Sequence, residues 1–461
     1  MRRLRQETLA EKIHRLRGII LVVSVPLVLI AIVLVLMPRT ALDLNTDDAD
    51  SLQHLSQHDS SSEAGSKRYS VIFDAGSSGT RVHVFCFNEK LDLVPIGDGI
   101  ELFKQKKPGL SAYENPQEGA KSLNSLLDEA LKVVPKNLQS VTPATAGLRA
   151  LPGEKANELL QSVKDLLTQS SFKFSRSWVS ILDGIQEGSF QWVTVNYLLG
   201  FLGNDYRNTV GVVDLGGGSV QMAYAISEEE ANSAPHPPEG DAYIKTLKLL
   251  GKTYHLYVHS YLHYGLLAAR AQVLELTRDS GCSCLSKGFK GNYKHGNDLL
   301  KAISTPEGSN FDDCHKIVVE VLQINQACDH MKCTFGGVWN GGGGDGQKKL
   351  LVASFFFDRA VEVGLIKDPD VLAAKVKASD FERLGKAVCE TSLTDMSKKF
   401  PRVLEENRAY ICLDIVYQYA LLVSGLDINP TREITLVKRI KYKGFAVEAA
   451  WALGSAVESL S

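Results

Sequence analysis

One short pattern occurs twice in this chain, and it constrains the fold more than any other feature. The first copy is Val71-Ile72-Phe73-Asp74-Ala75-Gly76-Ser77-Ser78-Gly79-Thr80. The second is Gly211-Val212-Val213-Asp214-Leu215-Gly216-Gly217-Gly218-Ser219-Val220. Each reads as an apolar strand ending in Asp, then Ala or Leu, a Gly/Ser turn and a second strand. A carboxylate at a strand tip can reach a hydrated divalent cation. The glycines let backbone N–H groups approach phosphate oxygens, and Ser77, Ser78, Thr80 and Ser219 add hydroxyl donors. One Asp-x-Gly turn says little, because Gly/Ser hairpins are common. Two copies with the same flanks require two equivalent clamps, and two facing clamps suit the phosphate chain of a nucleotide.

Other phosphate devices fail on the residues. A dinucleotide-binding loop leads into a helix, whereas Thr80–Phe87 and Ser219–Ile226 alternate as strands. The P-loop ends in Gly-Lys-Ser/Thr, whereas the run Gly341–Gly346 continues Gln347-Lys348-Lys349. That run reads either as a flexible loop or as a close backbone approach to a ligand. A third element, Ile181-Leu182-Asp183-Gly184-Ile185-Gln186-Glu187-Gly188, precedes a helix over Gln191–Leu199. Glu187 there is either a general base for an attacking water or a helix-start charge; spacing alone leaves both open. Strand patterns at Tyr69–Phe73 and Val210–Val213 alternate with helical spacing over Pro116–Val134 and Glu154–Leu167. A buried helix is expected over Phe445–Val457. The sum is α/β with mixed sheets.

With 461 residues, two lobes are expected. The net charge is -2 and no large basic block occurs in the body, so no nucleic-acid partner is expected. Ile19–Met37 is apolar apart from Ser24 and Pro26, long enough to cross a bilayer core of about 30 Å. Six basic residues precede it and a run of aspartates follows. The positive-inside rule therefore predicts a single-pass type II protein. Residues 1–17 form a cytosolic tail, 18–38 a transmembrane signal-anchor and 39–68 a flexible stem, with the rest lumenal or extracellular. The alternative is a signal peptide cut near Thr40 or Ala41. Seven of the eight cysteines lie in the second half, which a lumenal compartment permits to pair; Cys86 reads as a buried thiol. No Asn-x-Ser/Thr acceptor occurs.

At these motifs the chain resembles the apyrase (nucleoside triphosphate diphosphohydrolase) family, above all its membrane-anchored plant members. The segments are Val71–Phe87, Ala144–Arg149, Leu182–Gly200, Val212–Tyr224 and Phe335–Gly344. The resemblance implies two ribonuclease-H-like lobes of the actin and sugar-kinase superfamily. These are lobe I at 69–208, lobe II at 209–442, and a C-terminal helix at 443–461 packing back on lobe I. It implies Glu187 as catalytic base, Ser219 and Gln221 positioning the water, and Asp74 and Asp214 holding Ca²⁺ or Mg²⁺. It implies Ser77, Ser78, Gly79, Thr80, Thr145, Arg149, Gly216, Gly217 and Gly218 as phosphate-binding positions. Phe356, Phe357 and Tyr410 fall where relatives have base-stacking aromatics. The resemblance pairs Cys284 with Cys314, Cys328 with Cys333 and Cys389 with Cys412, leaving Cys86 and Cys282 unpaired. The implied activity removes terminal phosphates from nucleoside tri- and diphosphates, clearing diphosphates in the Golgi lumen or nucleotides outside the cell. Calmodulin is a candidate partner of the basic tail, against the simpler reading of a topology signal. One departure is Pro143, which cannot donate to a sheet ladder and shortens the strand entering Ala144–Arg149. A superfamily sugar kinase and a nucleotide-gated binding protein are the alternative readings.

Overall fold

Lobe I is built on β1 (Arg68–Ala75), β2 (Thr80–Phe87), β3 (Glu101–Lys106), β4 (Ala144–Thr145) and β5 (Ser180–Ile181), ordered β3-β2-β1-β4-β5. The pairs β1–β2 and β2–β3 are antiparallel, and β1–β4 and β4–β5 are parallel. Lobe II carries β6 (Gly211–Leu215), β7 (Ser219–Ile226), β8 (Ile244–Leu249) and β9 (Lys252–Leu262). A separate hairpin follows, β10 (Lys290–His295) with β11 (Asp298–Ile303), then β12 (Leu350–Ser354), β13 (Ala373–Lys377) and β14 (Glu433–Val437). The seven-stranded sheet runs β13-β14-β12-β6-β7-β9-β8. Its core β9-β7-β6-β12-β14 repeats the order and the strand senses of the first sheet. The sequence repeat is therefore the visible part of a duplicated topology, and the expected two-lobed α/β architecture is found. A last hairpin is β15 (Arg439–Tyr442) with β16 (Phe445–Glu448).

This computed structural model describes residues 66–75, 79–138, 144–145, 151, 153–172, 175–236, 242–296, 298–330 and 332–461. The basic tail, the apolar segment 18–38 and most of the expected stem lie outside the described residues. Among the described residues no helix is long and apolar enough to cross a membrane. Pro143 also lies outside them, and β4 beyond it is two residues long.

Helices differ from the sequence expectation in three places. The single helix expected over Pro116–Val134 is two, α1 (Pro116–Lys121) and α2 (Asn124–Val133). Between them the Ser122 hydroxyl donates to the Gly119 carbonyl at 2.6 Å, a side-chain bond that competes with helix continuation. After α3 (Gly153–Thr168), the next helix, α4 (Gly184–Leu198), starts seven residues before the expected Gln191. The cause is a capping box: Asp183 accepts from the Gln186 N–H at 2.6 Å, and Gln186 Oε1 accepts from the Asp183 N–H at 3.2 Å. At the C-terminus, Phe445–Glu448 is strand β16, not helix. Its side chains alternate between the hairpin's two faces, so the helix begins only at Trp451.

The remaining helices named below are α5 (Leu266–Leu276), α6 (Phe355–Glu362), α7 (Ile411–Ala420) and α8 (Trp451–Leu460). Strand alternation splits the core. Val71, Phe73, Val82 and Val84 pack under lobe I against α2 and α3. Ile72 and Phe85 face the other way, onto a central cluster with Trp192, Val212, Val258 and Leu453. Helix α4 runs through that centre. Its Thr194 hydroxyl donates to the Ala450 carbonyl and accepts from the Gly454 N–H, each at 2.7 Å, which ties α8 to it. The three disulfides implied by resemblance are present, and Cys86 and Cys282 are buried thiols.

Candidate active site

A cleft of about 980 Å³ runs between the sheets. The two strand-tip aspartates enter it from equivalent places. Asp74 sits in register between Arg81 and Ala144, and Asp214 between Gln221 and Ala353. Asp74 is buried and paired with Arg81, Oδ2 to Nη1 at 2.8 Å. Asp214 Oδ1 is buried and accepts no hydrogen bond. Burial pushes the Asp214 carboxyl above the usual carboxylate range. Hydrogen bonds from Ser354 and Gln191 oppose that rise, and the Asp74 charge adds to it. Two carboxylates in one cleft, the Asp214 one buried and with an unpartnered oxygen, form the donor set a divalent cation would satisfy.

The turn after β6 has a defined orientation. The Gly216 and Gly217 carbonyls accept from the Leu266 and Leu267 N–H groups at 2.9 and 3.0 Å, and the Gly218 carbonyl from the His263 N–H at 2.8 Å. In a trans peptide the N–H points opposite to the C=O. The N–H groups of Gly217, Gly218 and Ser219 therefore point away from the start of α5. Gly216–Ser219 line the cleft, so this N–H edge is the concavity that anionic oxygens need.

Of the other three predicted residues, Glu187 and Ser219 line the cleft, and Gln221 is buried and bonded to Ser219. Glu187, in the first turn of α4, lines the cleft. The Gln221 Nε2 donates to Ser219 Oγ at 2.7 Å and to Ser260 Oγ at 2.9 Å, which locks both hydroxyls. Glu187 is thus both a first-turn residue and a cleft residue, so the two readings of its position are compatible.

Other predictions land elsewhere. Thr80 is buried outside the cleft, where its Oγ1 accepts from the Leu110 N–H at 3.1 Å. It anchors a neighbouring loop. Gly79 lies against Gln105. Ser77, Ser78 and Arg149 fall outside the described residues, as does the Thr145 side chain, although the Thr145 backbone pairs with Ile181.

The aromatic assignments are corrected. Phe356 is fully buried against Phe381, and Tyr410 is buried beneath Arg270 and beside Phe289. Phe357 borders the cleft but is 1% exposed. Consecutive residues of a helix point about 100° apart, so three phenylalanines in a row cannot share a face. The one that presents a partly exposed ring to the cleft is Phe355, under the Arg359 guanidinium at 5.2 Å. The Gly341–Gly346 run is held tightly at its two ends. A Cβ on Gly341 would lie 2.8 Å from Tyr257 Cδ1 and one on Gly346 would lie 2.9 Å from the Ala225 carbonyl carbon. The Gly343 N–H donates to the Tyr224 hydroxyl at 3.1 Å. Gly341 is pressed onto Tyr224 and Tyr257, and Gly346 onto the Ala225 backbone.

Three residues escaped the sequence reading. Gln191 is one turn beyond Glu187 on the same face of α4. Its amide donates to the Ala449 carbonyl at 3.1 Å and bonds Asp214. Its i, i+4 spacing from Glu187 was its signal. Ser354 bonds Asp214 and sits at φ 61°, a strained conformation for a non-glycine residue at the cleft. Its place after Ala353 matches that of Thr145 after Ala144 in the other lobe. Gly265 leaves no sequence signal. A Cβ there would come within 2.5 Å of the Gly217 carbonyl oxygen and closer still to the Ser219 nitrogen. Gly265→Ala should therefore push the turn into the cleft and lower kcat roughly tenfold or more. Overpacking itself should cost about 1–3 kcal/mol of stability. Steady-state kinetics beside a thermal melt would check this, and an unchanged kcat would show that the turn tolerates the shift.

Comparison with known proteins follows the same line. The model of the GDA1/CD39 (nucleoside phosphatase) family matches residues 60–461. "Probable apyrase 2" of Oryza sativa subsp. japonica is 55% identical, with 99% of this chain and 97% of the relative covered. "Apyrase 1" of Arabidopsis thaliana is 54% identical, with 99% and 98% covered. Among solved structures, that of nucleoside triphosphate hydrolases from Neospora caninum aligns with a TM-score of 0.60 at 14% identity, covering 86% of this chain and 92% of that one. That likeness is one of fold. With Asp74, Glu187, Asp214 and Gly216–Ser219 in one cleft, and with relatives more than half identical along nearly the whole length, the chain belongs to the GDA1/CD39 (nucleoside phosphatase) family.

Proposed function

We propose that this chain hydrolyses the terminal phosphates of nucleoside tri- and diphosphates down to the monophosphate, with water as nucleophile and Glu187 as general base. The observation that carries this reading is the meeting in one cleft of Glu187, the Ser219 hydroxyl held by Gln221 and the two strand-tip carboxylates. Phosphate oxygens accept from the N–H edge of Gly217–Ser219. Ser219 and Gln221, held to each other, orient the water. Glu187 removes its proton as it attacks phosphorus in line with the leaving oxygen. Catalysis is then positioning and electrostatics, with no protein nucleophile. Asp74 and Asp214 would hold Ca²⁺ or Mg²⁺, which when bound neutralises charge on the phosphate oxygens. Among the described residues no third His, Cys, Asp or Glu joins the pair, so water and phosphate oxygens would complete the shell, as is usual for Mg²⁺.

The substrate class rests on the apyrase relatives, and the compartment on the sequence. Residues 18–38 anchor the chain with its catalytic lobes lumenal or extracellular, in the Golgi or another secretory membrane. The three disulfides suit an oxidising compartment. The basic tail sets this orientation, with calmodulin as its candidate partner. Phosphate release by the detergent-solubilised full chain from ATP, ADP, GDP and UDP, with and without added sugar, tests the reaction. Sugar-independent release is expected. Transfer to sugar would make it a kinase, and very slow turnover with retained nucleotide would make it a binding protein.

A further inference from the structure

The hairpin of β10 and β11 is a sheet of its own, apart from the seven-stranded sheet of lobe II. Its register sets Lys290, Asn292 and Lys294 of β10 opposite Ile303, Lys301 and Leu299 of β11. Directly paired residues share a face, so these six form one side of the hairpin, and all six are exposed. None is acidic. Leu299 is 67% exposed and Ile303 38%. The other side is seated. Tyr293 and Leu300 pack against the core of lobe II, and Ala302 is buried in it. The Tyr293 hydroxyl donates to the Leu267 carbonyl at 2.9 Å. At the open end, the Cys282 N–H donates to the Ile303 carbonyl at 2.8 Å and the Ser304 N–H to the Phe289 carbonyl at 3.0 Å. The outer side is therefore held toward solvent on a fixed support. Between Ser280 and Pro306 the chain carries four lysines and one acidic residue, Asp298, against a net charge of -2 for the whole. Asp298 pairs with His295, on the opposite side from the six. Lysines alone would be the usual guard of an open strand edge. Two exposed aliphatics set among them are not.

We propose that this face docks on an anionic phospholipid surface, with the ammonium groups of Lys290, Lys294 and Lys301 on headgroup phosphates and Leu299 and Ile303 at the acyl boundary. Lysine stems lie along apolar surface while their heads stay in water. Three lysines around two aliphatics thus match the order a bilayer presents from outside inward, charge first and hydrocarbon beneath. An acidic protein or a soluble polyanion would meet the charges and leave the aliphatics in water. A second copy of the chain, joined through this same face, would set lysine against lysine. The anchor proposed at 18–38 keeps a bilayer within reach, since residues 39–65 extend to at most roughly 90 Å. A tethered surface acts at high effective concentration, so a face this small suffices.

The test places the full chain in lipid nanodiscs, with Asn292→Cys carrying a nitrobenzoxadiazole dye on the outer face. Cys86 and Cys282 are buried thiols and stay unlabelled in the folded chain. In discs with about one-third phosphatidylglycerol, dye emission should rise about twofold over pure phosphatidylcholine discs. The rise should vanish in about 1 M salt, where the Debye length falls to about 3 Å. Lys290→Gln, Lys294→Gln and Lys301→Gln together should abolish it. Leu299→Gln, which leaves every charge in place, should reduce it by about half or more. A melting temperature equal to that of the wild type shows that each variant is folded. Equal emission in the two kinds of disc, or a rise that both variants keep, would overturn the docking face. The same rise with dextran sulfate in place of anionic lipid would make it a polyanion site instead. A rise in detergent that grows with protein concentration would make it a contact between copies. The anchor is judged separately, by whether the chain stays with membranes in alkaline carbonate, and the lipid dependence of the dye reads the docking face whichever way that falls.

Discussion

Glu187→Gln should lower kcat by about 10²-fold or more while leaving KM nearly unchanged. The amide keeps the shape of the side chain and its place in the first turn of α4, but it cannot take a proton from water. Glu187 also stands at a helix start, where a negative charge contributes about 0.3–1 kcal/mol. The two roles separate in the measurement. A helix-start charge predicts a small drop in melting temperature and normal turnover; a general base predicts a collapse in turnover. Single-turnover phosphate release beside a thermal melt reads both. Near-normal turnover would remove Glu187 from the mechanism.

Asp214→Ala should cut activity by about 10³-fold, the several kcal/mol of charge stabilisation that a bridging cation supplies. Asp74→Ala should act in the same direction, and a chelator should do the same to the wild type. Stability should move less than activity at Asp214, because removing the carboxylate relieves the desolvation cost of its unpartnered Oδ1 but also leaves Ser354 and Gln191 without the acceptor they share. Added Ca²⁺ or Mg²⁺ should raise the wild-type melting temperature and leave that of the variant unchanged. A cation-induced rise in melting temperature that persists in the variant, or wild-type hydrolysis undiminished in excess chelator, would refute the cation-holding role.

Much of the site was legible in the residues because it is local. Asp74 and Asp214, with the glycines and serine of the second turn, belong to strand–turn–strand units whose pattern is written within ten residues. Glu187 and Gln221 were carried by family resemblance, and both line or brace the cleft. The failures share one cause. Phe356 and Tyr410 were placed by position along the chain, but the face a helical side chain presents is set by what the helix packs against. Helix α6 is clamped at Ser354 by β12, which turns Phe355 outward and Phe356 into the core. Thr80 looked like a phosphate ligand for the same reason, until the backbone of Leu110 claimed its hydroxyl.

The sequence by itself determined the two strand–turn–strand units, the α/β class, the family and the concentration of cysteines in the second half, because each of these depends on residue type and local spacing. Only the tertiary structure decided that the two strand–turn–strand units share one sheet order, that Ser354 answers Thr145 across the duplication, and that Gly265 must be bare so that the start of helix α5 can hold the Gly216–Ser219 turn by its carbonyls. Nor could spacing reveal that Glu362 keeps one carboxylate oxygen without a partner. These depend on atoms 40 to 150 residues apart in the chain meeting within hydrogen-bond distance, and no pattern along the chain records which distant groups will meet.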